Sequence, residues 1–125
     1  MKPKIYNVSL TREISNLSYP IIIGDDILRD SGEILKEFIS KKKIIVVHDS
    51  FFSINNTNNV FNEFINSIKE LTSSVKLIGI PGGDQTKSIE QLNKIMEKAL
   101  AYEIDRQTII IAFGAGVVGD IAGFA

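Results

Sequence analysis

A strongly apolar segment runs directly into a glycine-rich turn near the end of this 125-residue chain. Residues 108–113 have the sequence Thr-Ile-Ile-Ile-Ala-Phe, and glycines follow at 114, 116 and 119 with G-x-G-x-x-G spacing. At that spacing we expect Gly114 to make a tight turn, Gly116 to let the backbone approach a phosphate, and Gly119 to let the next helix pack closely. The N–H groups at the start of that helix would face the anion. The spacing indicates either a dinucleotide-binding turn or an ordinary strand-to-helix turn of an α/β protein.

A second glycine segment favours the nucleotide-binding interpretation. Residues 75–80 form another strand-like run, and it leads into residues 81–88, Pro-Gly-Gly-Asp-Gln-Thr-Lys-Ser. Because loops that leave the carboxyl ends of parallel strands line one crevice, both glycine segments can reach the same ligand. Lys87 can donate to a phosphate or a ribose hydroxyl, and ionised Asp84 can accept from a ribose diol. The alternative is a structural turn in which Ser88 is a helix N-cap and Lys87 a solvated charge.

Composition excludes several other classes of protein. With 44% hydrophobic and 23% charged residues, the chain can form one domain with a core, and its formal net charge of −1 provides no basic surface for nucleic acid. The absence of cysteine excludes disulfides and thiolate metal sites, and the single histidine, His48, is expected to be a packed or capping residue. No signal peptide is recognisable, and no segment approaches the roughly 18 apolar residues of a membrane span. We therefore expect a cytoplasmic protein without nucleic-acid or membrane partners.

The hydrophobic pattern predicts an α/β fold. Residues 5–10 and 19–23 are β-prone runs typical of a hairpin, and strands and helices then alternate three times. Residues 43–48 have the composition of a strand buried on both faces, whereas residues 53–59 are expected to form a polar loop or a frayed first turn. Short connections indicate right-handed crossovers. We predict a Rossmann-like, mostly parallel sheet with helices on both faces and an N-terminal β-hairpin.

Helices are predicted from apolar residues at helical spacing. The first follows a possible cap at Asp25-Asp26, and the last predicted complete helix follows Ser88, which with Gln91 is typical of a capping box. A final helix begins near Gly116 and carries apolar residues with no C-cap, so we expect it to be buried by a part of the protein that this chain lacks. The predicted buried stripes of the three helices are Ile27, Leu28, Ile34, Leu35 and Phe38; Val60, Phe61, Phe64, Ile65, Ile68 and Leu71; and Ile89, Leu92, Ile95, Met96 and Leu100.

Together, residues 81–88, 106–108 and 114–125 resemble the 3-dehydroquinate synthase family, a member of the sugar phosphate cyclases. That family shows P-x-G-E-Q-x-K-S and then G-G-G-V-V-G-D followed by G-F-A. This chain departs from the pattern at four positions: Asp84 replaces Glu, Thr86 stands where an aromatic residue is common, Gln107 replaces Asp, and Ala115 replaces the middle Gly.

The resemblance implies a lyase of the shikimate pathway that converts the sugar phosphate 3-deoxy-arabino-heptulosonate 7-phosphate to 3-dehydroquinate and orthophosphate. NAD is used catalytically in such an enzyme, because transient oxidation of a carbinol makes the neighbouring proton acidic enough to leave. Residues 1–125 would be its N-terminal NAD-binding domain, incomplete at the C-terminal end and inactive alone. Its zinc or cobalt ligands and its catalytic residues would lie in a helical C-terminal domain, with none in this chain, and a homodimer is implied.

Carried over position by position, the resemblance places NAD against three stretches of this sequence. Asp84 and Lys87 would lie near a ribose, Asp49 near the adenosine half, and Asp120 on the nicotinamide side. The cofactor-binding residues so predicted are Asp49, Gly82, Gly83, Asp84, Gln85, Thr86, Lys87, Gly114, Ala115, Gly116, Val117, Val118, Gly119 and Asp120. Alternatives are another sugar phosphate cyclase, a metal-dependent glycerol or alcohol dehydrogenase, a nucleotide-binding module without catalysis, or glycine turns that are structural only.

Overall fold

A computed structural model describes residues 2–9, 11–12, 15–16, 18–54 and 59–125. The strands are β1 (Lys4–Val8), β2 (Thr11–Arg12), β3 (Ser15–Asn16), β4 (Tyr19–Ile23), β5 (Ile44–Asp49), β6 (Val75–Ile80) and β7 (Ile109–Phe113). The helices are α1 (Ser31–Ile39), α2 (Ser50–Ile54), α3 (Val60–Lys69), α4 (Ile89–Ala101) and α5 (Gly116–Phe124), with short 3-10 helices at Ile27–Asp30 and Asp84–Thr86. Within these described ranges, no helix has the length and apolar character needed to cross a membrane.

The central sheet has three parallel strands in the order β6-β5-β7. Ile44 at the start of β5 is aligned with Val75 of β6 on one side and Ile109 of β7 on the other. Residues 44–48 of β5 are all buried. The predicted parallel sheet and doubly buried strand are therefore confirmed.

Helices cover both faces of this sheet. The apolar side chains along β5 point alternately to one face and the other, so both faces need to be covered. Ile45 and Val47 pack in a cluster with residues of α4 and α5, including Ile95 and Ile121. Ile44 and Val46 pack in a second cluster with α1 and α3. Each fully buried Ile or Val contributes on the order of 1.5–3 kcal/mol relative to an exposed one. The predicted Rossmann-like arrangement of a parallel sheet between two helical layers is thus confirmed.

The N-terminal hairpin is also present. Strands β1 and β4 pair antiparallel, with Tyr6 opposite Ile21, and the two-residue strands β2 and β3 pair between them. The predicted run 5–10 includes Leu10, which lies outside the described residues. The hairpin forms a sheet of its own and is not hydrogen-bonded to the central sheet in the described part of the chain.

The first predicted helix differs from its expected form. Asp26 lies in the left-handed region (φ 55°) and makes no side-chain capping bond, and the chain forms a 3-10 helix before α1 begins. Because a 3-10 helix has three residues per turn rather than 3.6, the change of helix type at Ser31 rotates the later residues about the axis. Of the predicted buried stripe, Leu28 and Phe38 are 36% and 52% exposed, and Ile39 is buried instead.

Helix α4 confirms the predicted cap but only part of the predicted stripe. The Ser88 hydroxyl accepts a hydrogen bond from the Gln91 backbone N–H at 3.2 Å, as an N-cap does. Ile95 is buried, and Ala99 one turn later is buried with it. The sheet covers that side of the helix and not the adjacent stripe, so three predicted core residues are exposed: Ile89, Met96 and Leu100.

Helices α1 and α3 approach each other closely at Gly32. The Gly32 backbone N–H donates to the Ser67 hydroxyl at 2.6 Å, and a β-carbon at Gly32 would overlap the Ser67 carbonyl oxygen. A backbone carbonyl in a packed helix cannot move aside as a flexible side chain can. The separation of the two helices therefore depends on glycine at this position.

We predict that Gly32→Ala lowers the free energy of unfolding by about 1–3 kcal/mol, because the added methyl group forces the helices apart. Urea unfolding followed by circular dichroism measures the change. Gly123→Ala is the matched control, since a β-carbon at Gly123 meets nothing within 4 Å and alanine favours the helix. A Gly32→Ala variant as stable as the parent chain would contradict this account of the packing.

Candidate functional site

Three strand ends converge at one edge of the central sheet. Strand β5 ends at Asp49, β6 leads into the loop 81–88, and β7 leads into Gly114. Because the strands are parallel and in register, these carboxyl ends lie side by side. The structure thus brings the two glycine segments together, as expected for loops that line one crevice.

Asp49 lies between the two glycine segments. A β-carbon at Gly82 would overlap the Asp49 carboxylate, and a β-carbon at Gly114 would lie 3.5 Å from Asp49 Cβ. Asp49 Oδ1 also accepts a hydrogen bond from the Phe51 backbone N–H at 2.9 Å, at the point where the chain turns into α2. Asp49, predicted to follow the strand, is its last residue, and its carboxylate contacts the loop after β6.

Gly114 makes the tight turn that the spacing predicts. Its φ is +154°, and a β-carbon there would lie 2.7 Å from Val118 Cγ2. Gly116 and Gly119 differ from it, because a β-carbon at either meets nothing within 4 Å. The prediction that Gly119 permits close helix packing is therefore wrong, since this position faces open space and α5 packs through Val118 instead.

The start of α5 presents backbone N–H groups at this edge. Those of Val118 and Gly119 donate to the Ala115 carbonyl at 3.1 and 3.3 Å. The preceding amides, of Gly116 and Val117, belong to the first turn, where N–H groups point along the axis and carry partial positive charge. Val118 as a whole residue is 1% exposed, so in this structure it presents almost no surface to a ligand.

The loop after β6 is held in shape by Thr86. Thr86 is 4% exposed, and its hydroxyl donates to the Pro81 carbonyl. The Thr86 backbone N–H donates to the Gly83 carbonyl at 3.0 Å, and Gly83 has a φ of +101° that favours glycine. Gln85 is exposed, while the side chain of Asp84 lies outside the described part of the structure.

An ion pair connects the two segments. Lys87 Nζ lies 2.7 Å from Asp120 Oδ2, with side-chain exposures of 47% and 64%. A cavity of about 280 Å³ lies beside the pair, with Ile121 and Phe124 of α5 in its wall. Both charged residues are identifiable from the sequence but their contact is not predicted, although opposite charges on two segments of one crevice could have suggested it.

His48 is a packed residue, as predicted. It is 4% exposed, its ring centroid lies 4.6 Å from that of Phe61, and Nδ1 is 3.1 Å from the Asp49 carbonyl oxygen. A β-carbon at Gly79 on the neighbouring strand would lie 3.2 Å from His48 Cε1. In the described ranges of the chain, no group of three or more His, Cys, Asp or Glu residues could hold a metal ion.

Sequence comparison connects this geometry to a family. Residues 77–125 match the family model described as 3-dehydroquinate synthase N-terminal. The chain is 37% identical over 112 residues to the 3-dehydroquinate synthase of Desulforamulus reducens, and 35% identical over 113 residues to that of Clostridium kluyveri. The predicted resemblance to the 3-dehydroquinate synthases is confirmed. In both comparisons the matched region covers 90% of this chain and 30% of the synthase, so the chain spans about 30% of the length of these relatives.

Solved structures support the same fold. A crystal structure of 2-deoxy-scyllo-inosose synthase superimposes with a TM-score of 0.71 at 17% identity, covering 96% of this chain and 31% of the synthase. A second crystal structure of that synthase, complexed with carbaglucose-6-phosphate, NAD+ and Co2+, gives a TM-score of 0.72 at 17% identity, with 96% and 30% coverage. This chain therefore has the same fold as the corresponding part of 2-deoxy-scyllo-inosose synthase.

We predict that Thr86→Val lowers the free energy of unfolding by about 1 kcal/mol, because the buried hydroxyl that closes the loop is lost while the shape is kept. Urea unfolding measures the difference. Gln85→Ala, at the exposed neighbouring position, is expected to change stability by less than about 0.5 kcal/mol. Equal stability of Thr86→Val and the parent chain would show that the loop does not depend on this hydrogen bond.

Proposed function

We propose that residues 1–125 are the N-terminal NAD-binding domain of a 3-dehydroquinate synthase, incomplete at its C-terminal end. The observation that carries the proposal is the meeting of two glycine segments around Asp49 at the carboxyl edge of a parallel sheet. This is the place where open α/β sheets bind ligands. The two curated relatives described above, both named 3-dehydroquinate synthase, make that enzyme a better candidate than a dehydrogenase or a module without catalysis.

The local geometry fits a dinucleotide. The first turn of α5 offers amide groups for the pyrophosphate, and Gly116 leaves the approach to them open because no side chain intervenes. Lys87 can donate to phosphate or ribose oxygens, and Asp49 can accept from ribose hydroxyls. The proposed NAD-binding residues are those predicted from the sequence: Asp49, Gly82, Gly83, Asp84, Gln85, Thr86, Lys87, Gly114, Ala115, Gly116, Val117, Val118, Gly119 and Asp120.

In the proposed reaction, bound NAD supplies a transient oxidation of the sugar phosphate that makes a neighbouring proton acidic. The contribution of this chain is to bind and orient the cofactor. The zinc or cobalt ligands and the catalytic residues belong, in this proposal, to the part of the synthase that the chain does not span. The chain alone is then inactive, and a homodimer and a cytoplasmic location stay predictions.

Gly116→Val tests the cofactor site directly. A β-carbon at Gly116 meets no atom within 4 Å beyond its chain neighbours and its own helix backbone, yet a valine side chain there would occupy the approach to the first-turn amides. We predict that the parent chain binds NAD saturably in calorimetric titration. In the variant we expect at least a tenfold loss of affinity, because the pyrophosphate loses its hydrogen bonds to the partly positive backbone N–H groups of the first turn.

Gly123→Val is the matched control for this titration. It introduces the same side chain into the same helix, also in open space, but two turns from the strand ends. It should bind NAD as the parent chain does. Equal NAD binding by Gly116→Val and the parent chain would show that the glycine turn is structural only. The absence of NAD binding by a folded parent chain would contradict an NAD site formed by these residues alone.

A chimera tests the reaction. We predict that this chain, replacing the matched region of the Desulforamulus reducens synthase, restores phosphate release from 3-deoxy-arabino-heptulosonate 7-phosphate in the presence of NAD and zinc or cobalt. The 125-residue chain alone is expected to release none. A chimera that is folded and binds NAD but releases no phosphate would contradict the assignment to 3-dehydroquinate synthase while leaving the NAD site intact.

A further inference from the structure

The single histidine of the chain, His48, lies buried directly before the candidate site. It is the next-to-last residue of β5, and the last, Asp49, lies between the two glycine segments. The proposed NAD site includes Asp49 but not His48, which is 4% exposed. Burial of an imidazole is costly unless its ring nitrogens are hydrogen-bonded. The partners of the ring therefore indicate what a histidine does at this position.

Packing holds the His48 ring in place. Its centroid lies 4.6 Å from that of Phe61 on α3, and the two rings are tilted by 40°. On the neighbouring strand β6, a β-carbon at Gly79 would lie 3.2 Å from Cε1 and 3.4 Å from Nε2 of the imidazole. Glycine at that position makes room for the ring. The imidazole therefore has little freedom to turn between α3 and β6.

One nitrogen of this ring is directed at the backbone of the site. His48 Nδ1 is 3.1 Å from the carbonyl oxygen of Asp49. Because a carbonyl oxygen can only accept a hydrogen bond, Nδ1 must carry the proton in this contact. The bond thus selects the tautomer with hydrogen on Nδ1. It also connects the ring to the peptide group through which β5 leads into α2.

The orientation of that peptide group affects where the Asp49 carboxylate lies. Rotation about the Cα–C bond of Asp49 turns its carbonyl oxygen and, because the peptide unit is planar, also moves the start of α2. The carboxylate is tied to α2, since Oδ1 accepts a hydrogen bond from the Phe51 N–H at 2.9 Å. Holding the carbonyl oxygen therefore holds the amide group that keeps the carboxylate beside Gly82.

We propose that His48 is a positioning residue for Asp49. Its Nδ1–H holds the Asp49 carbonyl, which keeps the carboxylate in the orientation that accepts hydrogen bonds from a ribose diol. The proposal rests on the proposed NAD-binding function and deepens it. It requires that the proton lie on Nδ1 and that His48 influence NAD affinity through Asp49.

Nuclear magnetic resonance tests the hydrogen bond independently of any ligand. Because the chain contains a single histidine, long-range proton–nitrogen correlations of the imidazole need no further assignment. We expect them to show a proton on Nδ1. A ring with its proton on Nε2 alone would overturn the proposal, whether or not the chain binds NAD.

Substitutions that remove or move the donor test its effect on NAD affinity in calorimetric titration. His48→Leu removes it and is expected to weaken NAD binding about tenfold, as the loss of one well-oriented hydrogen bond does. His48→Asn keeps an N–H donor attached, like Nδ1, to the γ-carbon, and is expected to restore most of the affinity. His48→Gln is the matched control, because it carries the same amide one bond further from the backbone and is expected to bind as weakly as His48→Leu. His48→Phe replaces His48→Leu if that variant does not fold.

Two results of this series would overturn the proposal. Equal NAD affinity of His48→Leu and the parent chain would show that the site does not need the donor. Equal affinity of His48→Asn and His48→Gln would show that the position of the donor does not matter. In both cases the proposed NAD site would survive, whereas absence of NAD binding by the folded parent chain would remove the site and this inference together.

Two further variants separate positioning from packing. Phe61→Leu removes the ring contact but leaves the donor, so it is expected to lower the urea midpoint and leave NAD affinity unchanged. Asp49→Ala removes the carboxylate, and adding His48→Leu to it is expected to weaken NAD binding no further. A loss of NAD affinity in Phe61→Leu as large as that in His48→Leu would show that packing alone matters. Losses that multiply in the double variant would show that His48 acts independently of Asp49, and either result would overturn the proposal.

Discussion

The burial of strand β5 is the constraint on which the rest of the structure depends. Its backbone is hydrogen-bonded to β6 on one side and β7 on the other, and its side chains alternate between two helical layers. A run of five buried residues leaves no solvent-exposed face, so both layers must be present for the strand to be covered. Neighbouring strands must then be parallel, because each is reached through a helix that crosses the sheet.

The same constraint creates the site. Parallel strands end at one edge, and the central position of β5 places Asp49 between the segments that follow β6 and β7. The Asp49 carboxylate lies where a side chain at residue 82 would begin, so glycine at that position makes room for it. The position of an acidic group between two glycine turns therefore follows from strand order rather than from any local motif.

Much of the fold could be predicted from the sequence, because the spacing of apolar residues indicates which side chains are buried. The hairpin, the buried strand, α3 and the Ser88 cap correspond to local patterns and were predicted correctly. Met96 and Leu100 are exposed because the sheet does not extend over that side of α4. Local sequence patterns could not show how far the sheet extends. They also could not show the switch from 3-10 to α-helix at Ser31 or the short helix α2 directly after β5. In the candidate site, the predicted cofactor-binding residues stay a prediction, and contacts such as that between Lys87 and Asp120 depend on packing between distant segments.

Gly82 and Gly114 lack a side chain for a different physical reason than Gly116 does. At Gly82 and Gly114, a β-carbon would collide with atoms of the protein itself, so folding alone accounts for glycine there. At Gly116 nothing in the described structure occupies the space where a side chain would go. A glycine at a helix start, which costs backbone entropy and fills no packing need, is explained more readily by a ligand than by the fold. Gly116 is therefore the position that distinguishes the two explanations of the motif, because ligand binding would require glycine there and the fold does not. Gly114 does not distinguish them, since the fold itself requires glycine at that position.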